Sequence, residues 1–210
     1  MPAAPGQHSE HTPIPVTVIG GYLGAGKTTL VNHLLRHARG LKLAVLVNDF
    51  GALPIDADLI EAQDGSVIGI AGGCVCCSYG SDLMQALMDL EARDPRPEHV
   101  LLETSGVALP GQVASAVTLL AGYALDAVVT LADAATVREH GADRYLADTI
   151  SRQLADAHLV LLNKADLVDA GELERVQQWV TAKAPRARVV VSRQAAAPTE
   201  VVLGTRLGEA

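Results

Sequence analysis

A glycine-rich run that directly follows a short apolar segment limits the possible folds of this chain more than any other part of the sequence. After Val16–Ile19 the sequence reads Gly20-Gly21-Tyr22-Leu23-Gly24-Ala25-Gly26-Lys27-Thr28-Thr29. The glycines, the lysine and the first threonine of this run satisfy the P-loop pattern, in which a strand turns into a helix around a phosphate group. Glycines allow the backbone to curl so that successive N–H groups point at phosphate oxygens, and the positive end of the next helix adds attraction. The run therefore predicts a nucleotide-phosphate site at the end of the first strand.

The same run assigns chemistry to individual side chains. Lys27 is expected between the β- and γ-phosphates, and the Thr28 hydroxyl is expected to ligate Mg²⁺. Lys27 is therefore a candidate catalytic residue as well as a phosphate ligand. We expect nucleotide contacts from the whole turn, namely Gly21, Gly24, Ala25, Gly26, Lys27, Thr28 and Thr29.

Seven short aliphatic runs indicate the fold class. They are Val16–Ile19, Leu43–Val47, Val67–Ile70, Val100–Leu102, Ala127–Leu131, Leu159–Leu162 and Val189–Val191. Each run is continuous rather than alternating, which is typical of strands covered on both faces. Helical stripes lie between several of them, at Leu30, Leu34, Leu35 and Ala38, at Leu83, Leu87 and Leu90, and at Val176, Trp179 and Val180. Strands alternating with helices predict an α/β protein with the three-layer P-loop NTPase fold, whose mostly parallel central sheet is flanked by helices.

Length and charge limit the domain organisation and the partners. Of the 210 residues, we expect 1–14 to form a flexible arm, 15–194 the nucleotide-binding domain and 195–210 a C-terminal tail. The net charge of −8 argues against nucleic acid as a partner, because phosphate backbones need a basic face. Glycine and proline interrupt the uncharged stretch 104–125, which is predicted as loop, buried helix and strand start rather than a membrane span. Without a secretory signal pattern, we expect a cytoplasmic protein with no membrane partner.

A second motif indicates which base the nucleotide carries. The apolar run Leu159–Leu162 leads into Asn163-Lys164-Ala165-Asp166. In P-loop proteins a turn of this type recognises guanine, because the Asp166 carboxylate accepts hydrogen bonds from N1–H and the 2-amino group together. Adenine offers no matching pair of donors. Asn163 is expected to brace the loop and bond the purine, and the stem of Lys164 is expected to lie against the base. The motif predicts GTP and GDP as ligands.

Two further segments supply candidates for the hydrolytic chemistry. The run Val100–Leu102 ends in Glu103, and an acidic residue at this point usually arranges Mg²⁺ and the attacking water. Gly106, three residues later, is expected to offer its amide to the γ-phosphate. Asp49, in Asn48-Asp49-Phe50-Gly51 after the second strand, is a candidate for Mg²⁺ or its water shell.

The three cysteines of the chain fall within one glycine-rich loop. Cys74, Cys76 and Cys77 follow Gly72-Gly73, an arrangement unsuited to a disulfide framework. Soft thiolates suit Zn²⁺ or another transition metal, and three ligands leave a fourth position for a carboxylate, a histidine, water or a partner. Packing as small core residues and a redox role remain alternatives. Because the loop lies between the Asp49 segment and the Glu103 strand, metal and nucleotide can bias the same loop.

The histidines carry a weaker indication of metal binding. His8 and His11 lie in the arm, where a solvated tail is the simpler interpretation. His33 and His37 are four positions apart on the first predicted helix, a spacing that permits chelation but equally suits packing at the surface.

Taken together, these motifs resemble those of the CobW-type metallochaperone GTPases of the CobW/HypB/UreG family. The resemblance rests on the segments 21–30, 48–51, 73–77 with Asp82-Leu83, 103–106 and 163–166, and extends from about Val16 to Ser192. It implies GTP hydrolysis with Mg²⁺ and metal binding at the cysteines that is linked to the nucleotide state. It further implies delivery or homeostasis of zinc or cobalt, a client metalloprotein, and a homodimer that forms with nucleotide.

The chain departs from the family pattern at several positions. Asp49 and Ala52 stand where the family commonly has glutamates, and the stretch Ser78-Tyr79-Gly80-Ser81 lacks an arginine usually found after the cysteines. Leu109 replaces an aspartate usual before Pro110. Family members generally carry a second C-terminal domain, and the chain is expected to be the GTPase domain only.

Three functions from different classes compete at this point. The first is a slow GTPase whose hydrolysis switches metal loading and release. The second is a metal sensor or buffer whose affinity is set by GTP without productive delivery. The third is a P-loop ATPase or kinase in which the Asn163–Asp166 turn is accidental.

Overall fold

The described part of the chain forms seven strands and seven helices. The computed structural model describes residues 12–37, 40–47, 67–69 and 81–204. The strands are β1 (Ile14–Gly21), β2 (Leu43–Val47), β3 (Val67–Gly69), β4 (His99–Glu103), β5 (Tyr123–Asp133), β6 (Leu159–Asn163) and β7 (Arg188–Val191). The helices are α1 (Lys27–His37), α2 (Ser81–Glu91), α3 (Pro110–Val117), α4 (Val137–Ala142), α5 (Ala147–Ala155), α6 (Ala170–Lys183) and α7 (Thr199–Leu203), with a 3-10 turn at Ala165–Leu167. Six of the seven aliphatic runs lie wholly in strands, as predicted, and the described part of the seventh, Val67–Gly69, forms β3.

The strands form one sheet in the order β3-β2-β4-β1-β5-β6-β7, and all pairings are parallel. The chain builds one half of the sheet on each side of β1, so the order reverses at this central strand. Ligands of open α/β sheets bind beside the carboxyl ends of the strands at such a reversal point. The glycine-rich run lies there, because β1 ends at Gly21 and α1 begins at Lys27.

The core is aliphatic and lies on both faces of the sheet, because neighbouring strand residues point to opposite faces. On one face, α1, α7 and the segment before α7 pack against the sheet through residues that include Leu30, Leu34, Ala197 and Val202. On the other face, α2 and α3 cover one half of the sheet, and α5 and α6 cover the other. This arrangement confirms the predicted three-layer fold.

The segment after β7 corrects the expected boundary at residue 194. Ala195, Ala197 and Val202 are 0%, 4% and 0% exposed and belong to the core, so the domain continues through α7. The sequence gives little indication of this burial, because the alanines have no helical or strand periodicity and are buried by contacts with distant parts of the chain. The Ala195 N–H donates to the Asn163 side-chain oxygen at 2.8 Å, which fixes the start of this segment.

The uncharged stretch 104–125 folds as predicted. It forms a loop, then α3, and then the start of β5. Among the residues that the structure describes, no helix has the length and apolar character needed to cross a membrane.

Candidate nucleotide-binding site

The phosphate turn (residues 20–29), which joins β1 to α1, has the backbone that its glycines predict. Gly21, Gly24 and Gly26 have φ angles of 128°, 74° and 107°, a region that favours glycine. A Cβ at Gly26 would lie 2.6 Å from Asn163 Nδ2, so a side chain at this position would collide with the loop that follows β6. The turn and the Asn163 loop therefore pack directly against each other.

Lys27 lies over the turn that it follows. Its side chain is buried, and Nζ donates hydrogen bonds to the carbonyl oxygens of Gly21 at 3.0 Å and Tyr22 at 3.4 Å. An ammonium held inside a loop of backbone amides concentrates positive charge, which is the requirement for binding an anion there.

Thr28 and Glu103 lie side by side although they are 75 residues apart in sequence. Thr28 Oγ1 donates to Glu103 Oε1 at 3.0 Å, and Glu103 is 1% exposed. The sheet explains the approach, since β4 pairs with β1 and brings Glu103 opposite Ile19, just before the turn. The structure thus brings together the hydroxyl and the carboxylate that sequence reasoning connected with Mg²⁺.

The loop after β4 runs against the phosphate turn. A Cβ at Gly106 would lie 2.6 Å from Leu23 Cδ2 and 2.8 Å from the Leu23 backbone nitrogen, so only glycine fits without displacing the turn. On its other side the loop is bound by Gln153 of α5, which donates to the carbonyl oxygens of Gly106 and Ala108. Gln153 was not anticipated from the sequence.

Asn163 connects three segments of the chain. Its Nδ2 donates to the Ala25 carbonyl at 2.9 Å, and its Oδ1 accepts from Ser192 Oγ at 3.1 Å and from the Ala195 N–H at 2.8 Å. Asn163 is 2% exposed. The bracing expected of this residue is therefore present, and it extends to the loop after β7, which the sequence did not indicate.

Lys164 and Asp166 follow Asn163 on the exposed side of the loop. Lys164 has a left-handed backbone with φ 60° and ψ 33°, and its Nζ lies 2.6 Å from Asp133 Oδ2 at the end of β5. Asp166 is exposed in the 3-10 turn that follows. The Asp133 partner was also missed, although β5 and β6 pair in register at Asp133 and Asn163. A strand-terminal aspartate one strand away from the motif is the signal that could have found it.

Several of the predicted site residues lie outside the described residues. They are Asp49, Cys74, Cys76 and Cys77, together with His8 and His11 of the arm. Within residues 12–37, 40–47, 67–69 and 81–204, no group of three or more His, Cys, Asp or Glu side chains suits a metal ion.

His33 and His37 stack on each other rather than opening toward a shared ligand. Their ring centroids are 4.2 Å apart, His33 Nε2 bonds the Ala197 carbonyl at 3.0 Å, and His37 Nδ1 bonds the His33 carbonyl at 2.7 Å. Burial lowers the pKa of His33, and the neighbouring His37 and Arg36 lower it further against the opposing effect of the Ala197 bond. The pair agrees with the packing interpretation.

Comparisons with known proteins indicate the family of this domain. Residues 15–191 match the model of the CobW/HypB/UreG nucleotide-binding domain. The chain is 31% identical to the zinc chaperone CobW of a Sinorhizobium species over 93% of this chain and 63% of the relative. It is 35% identical to the zinc chaperone YjiA of Escherichia coli over 82% of this chain and 56% of the relative. The crystal structure of Zn(II)-bound YjiA GTPase from E. coli superposes with a TM-score of 0.61 at 26% identity, covering 86% of this chain and 57% of that one.

The chain thus spans less than two thirds of the length of the curated relatives that it matches. The match includes the phosphate turn, the Glu103 strand and the Asn163 loop within a single stretch. The chain belongs to the CobW/HypB/UreG family through its nucleotide-binding domain.

Proposed function

We propose that this chain binds and hydrolyses GTP and couples the nucleotide state to the binding and transfer of a transition metal. The observation that carries the proposal is the pair of long-range hydrogen bonds that meet at the phosphate turn. One joins Thr28 to Glu103, and the other joins Asn163 to Ala25. They bring the turn after β1, the buried Glu103 carboxylate and the Asn163 loop to one edge of the sheet, which supports assigning the phosphates to the turn and the purine to the loop.

The oxygen atoms beside the turn fit Mg²⁺. A threonine hydroxyl and a buried carboxylate 3.0 Å apart are hard ligands, which Mg²⁺ prefers. Bound Mg²⁺ supplies neutralisation of phosphate charge. Thr28 would hold the ion, and Glu103 would orient Thr28 and the attacking water. We also assign Asp49 to the water shell of this ion.

Lys27 and Gly106 complete the phosphate contacts in this proposal. The Lys27 ammonium neutralises charge on the β- and γ-phosphates, and the Gly106 amide bonds a γ-phosphate oxygen. Water attacks the γ-phosphorus, the bond to the bridging oxygen breaks, and GDP and inorganic phosphate leave. The remaining contacts come from the backbone of Gly21, Gly24, Ala25, Gly26, Thr28 and Thr29.

Guanine selectivity is assigned to the loop after β6. The Asp166 carboxylate accepts from N1–H and the 2-amino group, and the Lys164 stem lies along the base. The ion pair with Asp133 supports this role, because it fixes the end of the Lys164 side chain at 2.6 Å from Oδ2. Asn163 holds the loop beside the phosphate turn.

The metal cargo is assigned to Cys74, Cys76 and Cys77. Thiolates bind Zn²⁺ readily and Co²⁺ at similar sites, and the matched relatives CobW and YjiA are named zinc chaperones. The client is a metalloprotein that receives the ion, and a nucleotide-dependent homodimer is part of the same proposal. The cytoplasm, expected from the sequence, supplies GTP and keeps thiols reduced.

The test is phosphate release from Mg²⁺–GTP by the purified protein, followed by metal titration. We expect slow turnover, preference for GTP over ATP, and different Zn²⁺ affinities in GDP and in a non-hydrolysable GTP analogue. The matched control replaces the three cysteines with serine, which should remove the Zn²⁺ response and leave nucleotide affinity unchanged. Absence of hydrolysis with and without Zn²⁺ rejects the enzyme, and equal metal affinities in the two nucleotide states reject the coupling.

A further inference from the structure

Gln153 is a polar residue on the buried face of α5, where an apolar side chain is expected. The buried face of α5 consists of Ile150, Gln153 and Leu154, spaced as one helical stripe. Gln153 is 2% exposed. A primary amide is costly to bury unless its donors and acceptors are satisfied, so a glutamine here needs partners.

Those partners belong to the loop that follows β4, more than forty residues away in sequence. Gln153 Nε2 donates to the Gly106 carbonyl at 3.1 Å and to the Ala108 carbonyl at 2.8 Å. Both acceptor residues are buried. The backbone of Gln153 is itself fixed to β5, since Thr130 Oγ1 donates to the Gln153 carbonyl at 3.0 Å.

The loop is a tight turn enclosed on two sides. The Ala108 N–H donates to the Ser105 carbonyl at 3.1 Å, which closes a turn with Gly106 and Val107 at its centre. Leu23 of the phosphate turn lies against one side of Gly106. On the other side, Gln153 donates a hydrogen bond to the Gly106 carbonyl. A glycine has soft backbone angles, so these outside contacts restrict the peptide groups that flank Gly106.

We propose that Gln153 is a positioning residue for the γ-phosphate. It holds the Ser105–Ala108 turn at the place where the Gly106 N–H can bond a γ-phosphate oxygen, and it thereby sets the preference for GTP over GDP and the rate of hydrolysis. The proposal rests on the function proposed above. GDP lacks the γ-phosphate, so its affinity does not depend on this turn.

The test compares three variants with the wild-type protein. Gln153→Leu fills the apolar stripe and removes both donors. Gln153→Glu keeps the shape but presents an acceptor to two carbonyl oxygens. Thr130→Val is the matched control, because it removes the bond between α5 and β5 and leaves the Gly106 and Ala108 contacts in place. For each protein, thermal unfolding, affinity for GDP and for a non-hydrolysable GTP analogue, and the single-turnover rate at saturating Mg²⁺–GTP are measured.

For Gln153→Leu we expect the ratio of analogue affinity to GDP affinity and the single-turnover rate each to fall about tenfold or more. GDP affinity should stay within about twofold of the wild type, and Thr130→Val should keep the wild-type ratio even if its melting temperature falls. Gln153→Glu should regain activity relative to the wild type as the pH falls, because a protonated carboxyl group can donate to one carbonyl. A destabilised but otherwise neutral helix would not produce this pH response.

Two results would overturn the proposal. One is a Gln153→Leu protein with the wild-type affinity ratio and rate. The other is an equal loss of GDP and analogue affinity in both Gln153→Leu and Thr130→Val, which marks a structural role only. A wild-type protein that fails to hydrolyse GTP is a different outcome, since it rejects the proposed function and this inference with it.

Discussion

Two polar clusters lie at different ends of the sheet and differ in what they connect. The carboxyl-end cluster (Thr28, Glu103 and Asn163) joins the phosphate turn to the loops that follow β4 and β6. The amino-end cluster (Thr17, His99 and Asp126) lies within the strands. Thr17 Oγ1 is 2.8 Å from His99 Nε2 and donates to Asp126 Oδ2 at 3.0 Å. In the carboxyl-end cluster Glu103 and Asn163 are buried and Thr28 is partly buried. In the amino-end cluster Thr17 and His99 are buried and Asp126 is partly buried. The carboxyl-end cluster joins loop backbone, whereas the amino-end cluster joins strands.

The amino-end cluster depends on an irregularity in the sheet. The pairing of β1 with β5 shifts between Val16 and Thr17, which face Leu125 and Ala127, so Asp126 is an extra residue in β5. A bulge of this kind re-aims a side chain, and here it brings the Asp126 carboxylate to Thr17. The bonds of this cluster therefore satisfy groups inside the sheet, whereas those of the carboxyl-end cluster set the distances between separate loops. We expect changes in the amino-end cluster to alter stability and changes beside the carboxyl-end cluster to alter nucleotide binding.

The largest expected effect is that of Lys27→Ala on nucleotide affinity. Removing the ammonium that lies over the phosphate turn should weaken GTP and GDP binding about 100-fold or more, because a buried charge-assisted contact to phosphate is lost. Fluorescence titration with a labelled nucleotide measures this change. The matched control is Lys183→Ala at the exposed end of α6, which removes the same charge and should bind as the wild type. Wild-type affinity in Lys27→Ala would contradict the assignment of the phosphate site.

Asp166→Asn should exchange base preference with little change in phosphate binding. An amide can donate to the 2-oxo group of xanthine but repels the 2-amino group of guanine, so the preference should shift toward xanthine nucleotides by about 100-fold. Competition between GTP and XTP measures the shift. Asp169→Asn, three residues further along, is the matched control, because its side chain caps α6 by accepting from the Glu172 N–H and asparagine caps equally well. Unchanged preference in Asp166→Asn would indicate that this loop does not read the base.

The elements of the site that the sequence predicted are those specified by neighbouring residues. The phosphate turn depends on glycines and a lysine within ten positions, and each strand is a continuous aliphatic run, so both are visible locally. The proximity of Thr28 and Glu103 can also be inferred from the sequence, because parallel strands place their carboxyl ends at one edge of the sheet.

The contacts that the sequence did not predict depend on pairings between distant elements. Gln153 reaches Gly106 from 47 positions away, and Asp133 reaches Lys164 from 31. The segment 195–210 was expected to be a tail because it has no pattern of its own. The burial of its described part comes from contacts with α1 and the Asn163 loop. The bulge at Asp126 likewise leaves no mark in the composition of β5, since only the register of its partner reveals it.

Changes in the amino-end cluster are expected to have the smallest effect on nucleotide binding. They are expected instead to change how stability depends on pH. Burial lowers the pKa of His99 from 6.5 to about 4, although the Asp126 carboxylate lies 3.9 Å from Nε2. The unfolded chain therefore binds a proton at a higher pH than the folded protein, so stability rises with pH across this interval. As the pH falls from about 6.5 to about 4, His99 should remove about 3 kcal/mol of stability, and nothing is lost from this group above 6.5.

His99→Gln tests this point, because glutamine keeps a hydrogen-bonding group beside Thr17 but does not titrate. Denaturant unfolding at several pH values between 4 and 7 should give a flatter pH dependence for His99→Gln than for the wild type. Nucleotide affinity at neutral pH should stay within about twofold of the wild type, because the side chain contacts strands and not the phosphate turn. Equal pH dependence in the two proteins would exclude His99 as the titrating group, and a large loss of nucleotide affinity in the folded variant would remove the distinction between the two clusters.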